Sequence, residues 1–167
     1  MARDFSKIKQ GACAVTFGGT DIGHTQGGCN VSYDEKWRDM FVDEYGEGAV
    51  DKVFQGESIE VTMKLTQSQL ATIKAIMPLY TDGTSYLGFG TTLGKKASDY
   101  ADELILTPFE DGDATNALTI FKALTVGSPK VWGYTNENDR VYEVTWVGLM
   151  YDSGHTGSKL FKMAVDG

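Results

Sequence analysis

Alternation of apolar and polar residues predicts most of the secondary structure of this chain. The clearest example is residues 57–66, where Ile59, Val61, Met63 and Leu65 alternate with polar residues. This period of two is typical of a strand with one buried and one solvated face. The same reading predicts six further strands, at 12–17, 29–37, 103–107, 117–126, 140–150 and 159–165.

One segment has helical rather than alternating spacing. Thr66 and Gln69 fit a capping box, and Leu70, Ile73 and Ile76 follow at helical intervals before Pro78. We therefore predict a helix at about 67–77. About seven strands and one flanking helix favour a mainly β fold, an antiparallel β-sandwich or barrel, formed by residues 1–167 as a single domain.

The segment 38–56 lacks sustained periodicity, is acidic and contains several glycines, so it is predicted to be a long loop outside the sheet. This loop has more apolar residues than a solvated loop needs. We expect it to contact a neighbouring subunit; the alternative is that it folds back onto its own sheet. The proposed anchors are Phe41, Tyr45, Val50 and Phe54.

A glycine-rich stretch, residues 18–28, separates the first two predicted strands. If these strands form a hairpin symmetric about Asp21, then Cys13 faces Cys29 across it. The two cysteines have no CxxC spacing for zinc or redox chemistry, so buried free thiols are the simplest interpretation.

The overall charge disfavours tight nucleic-acid binding. A formal net charge of −8 repels phosphate groups, and a nucleic-acid reader would carry a basic patch instead. No apolar run reaches the roughly 20 residues of a spanning helix, and the first ten residues lack the apolar region of a signal peptide. We expect a soluble protein, made in the cytosol, with no stable membrane association.

No constellation of residues indicates catalysis. The stretch beginning Gly18-Gly19 lacks the Gly-Lys-Ser/Thr ending of a phosphate-binding loop, and a strand follows it. His24 and His155 both lie between Gly and Thr, where a turn is the simpler interpretation than a metal or acid–base site. No serine or cysteine has the context of a nucleophile. We expect no enzyme activity, no cofactor and no metal.

A resemblance to a known family rests on residues 11–31. The segment resembles the glycine-rich pattern near the start of bacteriophage major tail tube proteins, and the resemblance continues through the acidic loop, the alternating strand and the helix, over roughly the first 80 residues. The positions that fit the pattern are Gly18, Gly19, Ile22, Gly23, Thr25, Gly27, Gly28 and Val31.

The resemblance implies a structural virion protein. Such proteins form hexameric rings that stack into a hollow tube through which DNA leaves the capsid, and they are assembled in the host cytoplasm. The implied partners are other copies of the chain, the tape measure protein, the baseplate, the tail terminator and, if the tail is contractile, the sheath, with viral DNA only in transit. Alternatives in the same structural class are a type VI secretion tube, a bacteriocin tube or a tail terminator; a monomeric ligand-binding barrel is a further alternative.

A channel for DNA should have a polar, net negative lining that weakens phosphate binding. Alternation then places the apolar residues of the second and third strands toward the subunit core and their polar neighbours toward the lumen. The predicted lumen residues are Asn30, Ser32, Asp34, Ser58, Glu60, Thr62 and Lys64. Within a tube, Cys13 and Cys29 could also form a disulfide, inside the hairpin or between subunits, after the virion leaves the reducing cell.

Overall fold

The structure, a computed structural model, describes residues 13–66, 70–77, 81–82, 87–88, 93–109, 116–125, 131–132, 141–151 and 159–164. Strands dominate this part of the chain, with one short α-helix and 3-10 turns at Asp43–Tyr45 and Ala97–Asp99. The elements are β1 (Cys13–Phe17), β2 (Thr20–Asp21), β3 (Thr25–Met40), β4 (Asp51–Leu65), α1 (Leu70–Ile76), β5 (Thr81–Asp82), β6 (Leu87–Gly88), β7 (Asp102–Pro108), β8 (Leu118–Leu124), β9 (Val131–Trp132), β10 (Tyr142–Gly148) and β11 (Phe161–Met163).

Nine of these strands belong to one antiparallel sheet. Its main path runs β2-β1-β7-β8-β10-β4-β3, with β11 paired to β8 and β9 paired to β10, while β5 and β6 form a separate pair. The predicted mainly antiparallel β fold with one helix is confirmed. The later predicted strands are also confirmed, because each overlaps one of β7, β8, β10 and β11.

The sheet curls until its first and last long strands, β1 and β3, meet. The ring of Phe17 in β1 lies 4.5 Å from the ring of Trp146, which is in β10, three strands further along the path. At the end of the path, the sulfur of Cys29 in β3 lies 2.7 Å from the sulfur of Cys13 in β1. A twisted sheet closed in this way encloses its apolar face as a core, as in a barrel.

The core contains buried residues from β1, β4, β7, β8 and β10, and Cys29 of β3 packs against it. Trp146 is completely buried, and most of the surrounding side chains are aliphatic and also fully buried. These include Val15, Ile59, Val61, Met63, Leu65, Leu104, Ile120, Val144 and Leu160.

The helix α1 covers part of this core. Its Ile76 is fully buried, and the Thr72 hydroxyl donates a hydrogen bond to the carbonyl oxygen of Ile22 at 3.1 Å. The Thr125 hydroxyl donates to the carbonyl of Ile76 at the end of the helix. The predicted helix is therefore confirmed at Leu70–Ile76, while residues 67–69 lie outside the described residues.

The predicted hairpin between the first two long strands is wrong. Gly18 and Gly19 have φ angles of 54° and 75°, and they form a two-residue turn that pairs Phe17 with Thr20. Such a turn needs positive φ at both positions, which glycine adopts without steric cost. The chain therefore returns immediately into the short β2, and the long partner of β1 is β7.

The predicted loop at 38–56 is too long, because both of its ends belong to strands. Residues 38–40 belong to β3 and residues 51–56 to β4, so only residues 41–50 connect the two strands. Lys36 pairs with Gly56 but Trp37 pairs with Phe54, which leaves Gln55 as the extra residue of a β-bulge. One extra residue shifts the alternation by one position. Every later side chain then points to the opposite face of the sheet from the one that strict alternation predicts. The change of phase at Gln55 explains why the alternation was not visible in the sequence.

Candidate assembly surface

The predicted lumen residues share one face of the sheet. In the β3–β4 ladder Asn30 pairs with Thr62, Ser32 with Glu60, and Asp34 with Ser58, and Lys64 lies two residues beyond Thr62. The opposite face of β4 carries the buried Ile59, Val61, Met63 and Leu65. The structure thus places all seven predicted residues together, on the side of the sheet that points away from the core.

Strand β10 extends this polar face with two residues that sequence reasoning missed. The hydroxyl of Thr145 lies 3.2 Å from that of Thr62, and a carboxylate oxygen of Glu143 lies 4.0 Å from the Lys64 ammonium nitrogen. Both residues alternate with the buried Tyr142, Val144 and Trp146. The alternation was visible in the sequence, but the pairing of β10 with β4 was not.

Beyond the core, β3 and β4 continue as a hairpin arm, defined here as residues 34–58. The last pair with a fully buried member is Tyr33–Ile59, and the ladder continues past it to Met40–Asp51. At about 3.3 Å per residue, the seven steps from Asp34 to Phe41 carry the arm roughly 23 Å outward. The Val50 amide donates to the Met40 carbonyl at 2.9 Å and closes the tip.

The arm carries a concentration of exposed apolar surface. Eight of the fourteen exposed large hydrophobic side chains among the described residues lie on it: Trp37, Met40, Phe41, Val42, Tyr45, Val50, Val53 and Phe54. Contiguous exposed apolar surface of this kind marks interaction sites in soluble proteins.

The predicted anchor residues occupy two different places on the arm. Phe41, Tyr45 and Val50 lie at the tip, where Tyr45 is 72% exposed, and Phe54 lies within β4 at 46% exposure. None of the four is buried against its own sheet. The predicted anchors did not include Trp37, the residue that pairs with Phe54. Trp37 belongs to the predicted strand 29–37, whose apolar residues were expected to face the core.

Side-chain contacts fix the aromatic rings on one face of the arm. The rings of Trp37 and Phe54 pack edge to face at 5.2 Å, and the Trp37 indole N–H donates to Glu35 at 3.0 Å. The Tyr33 hydroxyl donates to Glu57 at 2.7 Å and also contacts Glu35 at 3.2 Å. These contacts hold the rings in place, so less side-chain entropy is lost when a partner binds.

The same contacts change the pKa of one side chain, the Tyr33 phenol. The hydrogen bond to Glu57 raises the pKa of Tyr33, and the second carboxylate, Glu35, raises it further, because both favour the neutral phenol over the phenolate. Glu35 and Glu57 are direct cross-strand partners, an arrangement that is unfavourable for like charges. The Tyr33 hydroxyl lies between them as a shared donor.

The two cysteines meet at the junction of β1 and β3. Their sulfur atoms lie 2.7 Å apart and both residues are half-buried free thiols. The predicted proximity is confirmed, although the hairpin that motivated the prediction is absent from the described residues. The contact follows from closure of the sheet, which brings its first and last long strands together.

The remaining candidate chemistry is sparse. Asp21 accepts a hydrogen bond from the Gly23 amide at 2.8 Å, as a turn residue does, and His155 lies outside the described residues. Within the described ranges no group of three or more His, Cys, Asp or Glu side chains is placed to hold a metal ion. No helix in the same ranges is long and apolar enough to cross a membrane.

Comparison with protein-family models and with curated proteins finds no match to this chain.

Proposed function

We propose that the chain is a structural subunit of a bacteriophage tail tube, in which hexameric rings stack into a hollow channel for DNA. The observation that carries the proposal is the arm: a two-stranded extension beyond the core, with its large apolar side chains exposed. The resemblance of the glycine-rich residues 11–31 to tail tube proteins supports this choice of family, and the arm gives a physical reason for self-assembly.

The arm suits contacts between copies of the chain. Trp37 and Phe54 form an aromatic pair on one of its faces, and aromatic residues held in position often dominate interface energies. In the proposed tube, the arm of each subunit packs on a neighbouring subunit with these rings and with Phe41, Tyr45 and Val50 at the tip. Burial of this surface gives the tube its hydrophobic driving force.

The edge of the sheet supports lateral contacts within a ring. Strand β3 is last in the main path, so the edge facing away from β4 has no strand partner among the described residues. Unpaired backbone groups along a sixteen-residue strand would invite uncontrolled pairing. A closed ring of subunits covers such edges without leaving a free end.

The polar face of β3 and β4 suits a channel lining. It is continuous across three strands, and it carries Asp34 and Glu60 against Lys64. A lining of polar residues with few cations gives DNA little to bind, so that DNA can slide through. The role is structural rather than catalytic, and the partners are those of a virion tail: tape measure protein, baseplate, tail terminator and, in contractile tails, sheath.

Other assignments in the same structural class would use the same surfaces. A type VI secretion tube or a bacteriocin tube would have the same rings, and a tail terminator would form a single ring at one end of the tube. A ligand-binding barrel would need internal space, whereas the described interior is filled by side chains such as Trp146, Met63 and Ile120.

The test is negative-stain electron microscopy of the purified full chain at low and high concentration. Wild-type chain should form rings or hollow tubes. Phe54→Asp should remain folded but fail to assemble, because it places a charge in the proposed interface. Gln55→Asp is the matched control: it adds the same charge to the adjacent exposed residue and should still form tubes.

The possible outcomes test the tube assignment and the role of the arm separately. A wild-type chain that stays monomeric at both concentrations would contradict the tube assignment. Normal tubes from Phe54→Asp would leave the tube assignment intact and contradict the role of the arm. A circular dichroism spectrum identical to that of wild type shows that the variant is folded.

A further inference from the structure

The cysteine contact joins the two ends of the curled sheet. Cys13 lies at the start of β1, opposite Pro108 of β7, and Cys29 lies in β3, opposite Met63 of β4. Within the described residues no strand pairing connects β1 directly to β3. The junction between these two strands is therefore a seam, closed by side-chain packing and by the two sulfur atoms rather than by a backbone ladder.

We propose that Cys13 and Cys29 are an oxidative modification site: a small disulfide of the glutathione class converts them to a disulfide that closes this seam covalently. The proposal is independent of the tail tube assignment, since it concerns the single subunit.

The geometry favours a bond between these two sulfurs over other products. They are already 2.7 Å apart, against about 2.05 Å in a disulfide, so little movement is needed. Both residues are half-buried, which leaves room for a small reagent to reach them. A pocket of about 510 Å³ has Cys29 in its lining, next to Gln26, Gly27 and Gly28.

Two glycines border this pocket in an open part of β3. Gly27 and Gly28 have φ angles of 79° and 82°, and a Cβ atom added to either would meet no atom within 4 Å. They lie where the β3–β4 register shifts between Thr25 and Cys29, so the strand bends away from its partner there. The segment of β3 that precedes Cys29 is therefore open to solvent.

The contact also favours one order of the two chemical steps. The contact with the Cys29 thiol lowers the pKa of Cys13, because it stabilises the Cys13 thiolate. The same shared contact, together with burial, raises the pKa of Cys29. Thiolate is the reactive form, so Cys13 is the first nucleophile.

The exchange balances as two successive substitutions at sulfur. The Cys13 thiolate attacks one sulfur of the small disulfide and expels one thiol. Cys29 then loses its proton and attacks the Cys13 sulfur of the mixed disulfide, expelling the second thiol. The two protein thiols are oxidised by two electrons, and one small disulfide is reduced to two thiols.

A disulfide here should stabilise the subunit. It links residues sixteen apart in sequence, and a cross-link of about that span lowers the unfolding equilibrium constant roughly 100-fold through the entropy of the unfolded chain. It also anchors β3 at the root of the arm.

The experiment uses the full-length chain under conditions where it is monomeric. Reduced protein is incubated with oxidised glutathione, the remaining thiols are alkylated, and intact and peptide masses are measured. Urea unfolding is then compared with and without reductant. Wild type should lose both alkylation sites, yield a Cys13–Cys29 linked peptide without bound glutathione, and unfold at higher urea than the reduced form.

Single variants provide the controls. Cys13→Ser and Cys29→Ser are nearly isosteric and should unfold at the same urea concentration with and without reductant. Cys29→Ser should retain glutathione on Cys13, because the resolving thiol is missing. Wild type that keeps a glutathione adduct or remains fully alkylated would overturn the proposal. A linked peptide without a higher unfolding midpoint would overturn the stabilising closure of the seam.

Discussion

The two halves of strand β4 differ sharply in what covers them. From Ile59 to Leu65 every second side chain is fully buried in the core. From Asp51 to Gln55 all residues are exposed, including Val53 and Phe54. Both halves are apolar at intervals and both pair with β3, so hydrophobic content does not distinguish them.

The difference lies in what the rest of the chain brings to each half. In the body, β1, β7, β8 and β10 curl around the apolar face of β4 and fill the space against it. No described part of the chain covers the aromatic residues of the arm, although the hairpin fixes their positions. Burial in the body stabilises the fold, and the exposed apolar surface of the arm is available for a partner.

The largest expected effect compares two tryptophans. Trp146→Ala removes a fully buried ring that packs on Phe17, and it should lower the free energy of unfolding by about 3–5 kcal/mol. Trp37→Ala removes a ring that is 52% exposed on the arm, and it should cost about 1 kcal/mol or less. Urea unfolding followed by far-ultraviolet circular dichroism measures both changes.

The effects of these two substitutions on assembly should have the opposite order to their effects on stability. Under conditions where Trp146→Ala is still folded it should assemble, whereas Trp37→Ala should be fully folded and defective in assembly. Equal losses of stability in the two variants would show that the arm packs on the body, and would remove the distinction between the two regions.

A second, smaller effect compares two glycines. A Cβ atom on Gly148 would lie 2.5 Å from a methyl carbon of Ile59 and 3.2 Å from atoms of Ile120 and Leu160. Gly148→Ala should therefore cost about 1–3 kcal/mol through overpacking of the core.

At the arm tip the same substitution should be nearly neutral. A Cβ atom on Gly48 would meet only the Tyr45 carbonyl oxygen, at an ordinary 3.7 Å. Gly48→Ala should change the free energy of unfolding by less than about 0.5 kcal/mol. Thermal or urea unfolding of the two variants in parallel measures both changes in the free energy of unfolding. A Gly148→Ala variant as stable as wild type would contradict tight packing at this point of the sheet.

The smallest expected effect is electrostatic and lies on the arm. The Lys52 ammonium nitrogen is 2.5 Å from a carboxylate oxygen of Asp39, and both side chains are largely exposed. Asp39→Asn should cost about 0.5 kcal/mol or less, and the difference from wild type should shrink further in high salt. A loss above about 1 kcal/mol that persists in high salt would indicate that the arm is more rigidly coupled to the body than its exposure suggests.

The sequence predicted local features well where the alternation was continuous. In residues 57–65 it identified which side chains are buried, and it placed Ser58, Glu60, Thr62 and Lys64 together on the opposite face. It failed at Gln55, where one inserted residue changes the facing of the strand, and at Gly18-Gly19, where the turn is much tighter than a symmetric hairpin requires. The roles of the arm and of the polar face stay predictions.

Hydrophobic periodicity is a local property, and the sequence by itself determined what depends on it: the stretches of strand with continuous alternation, the helix near residues 70–76, and the inner and outer faces of β4 over residues 57–65. Only the tertiary structure decided which strands are neighbours, because pairing depends on contacts between residues far apart in the chain. Closure of the sheet placed Cys13 against Cys29, and the pairing of β10 with β4 placed Thr145 against Thr62. The length of the β3–β4 ladder beyond the core likewise decided that the apolar residues after Asp34 form an exposed arm.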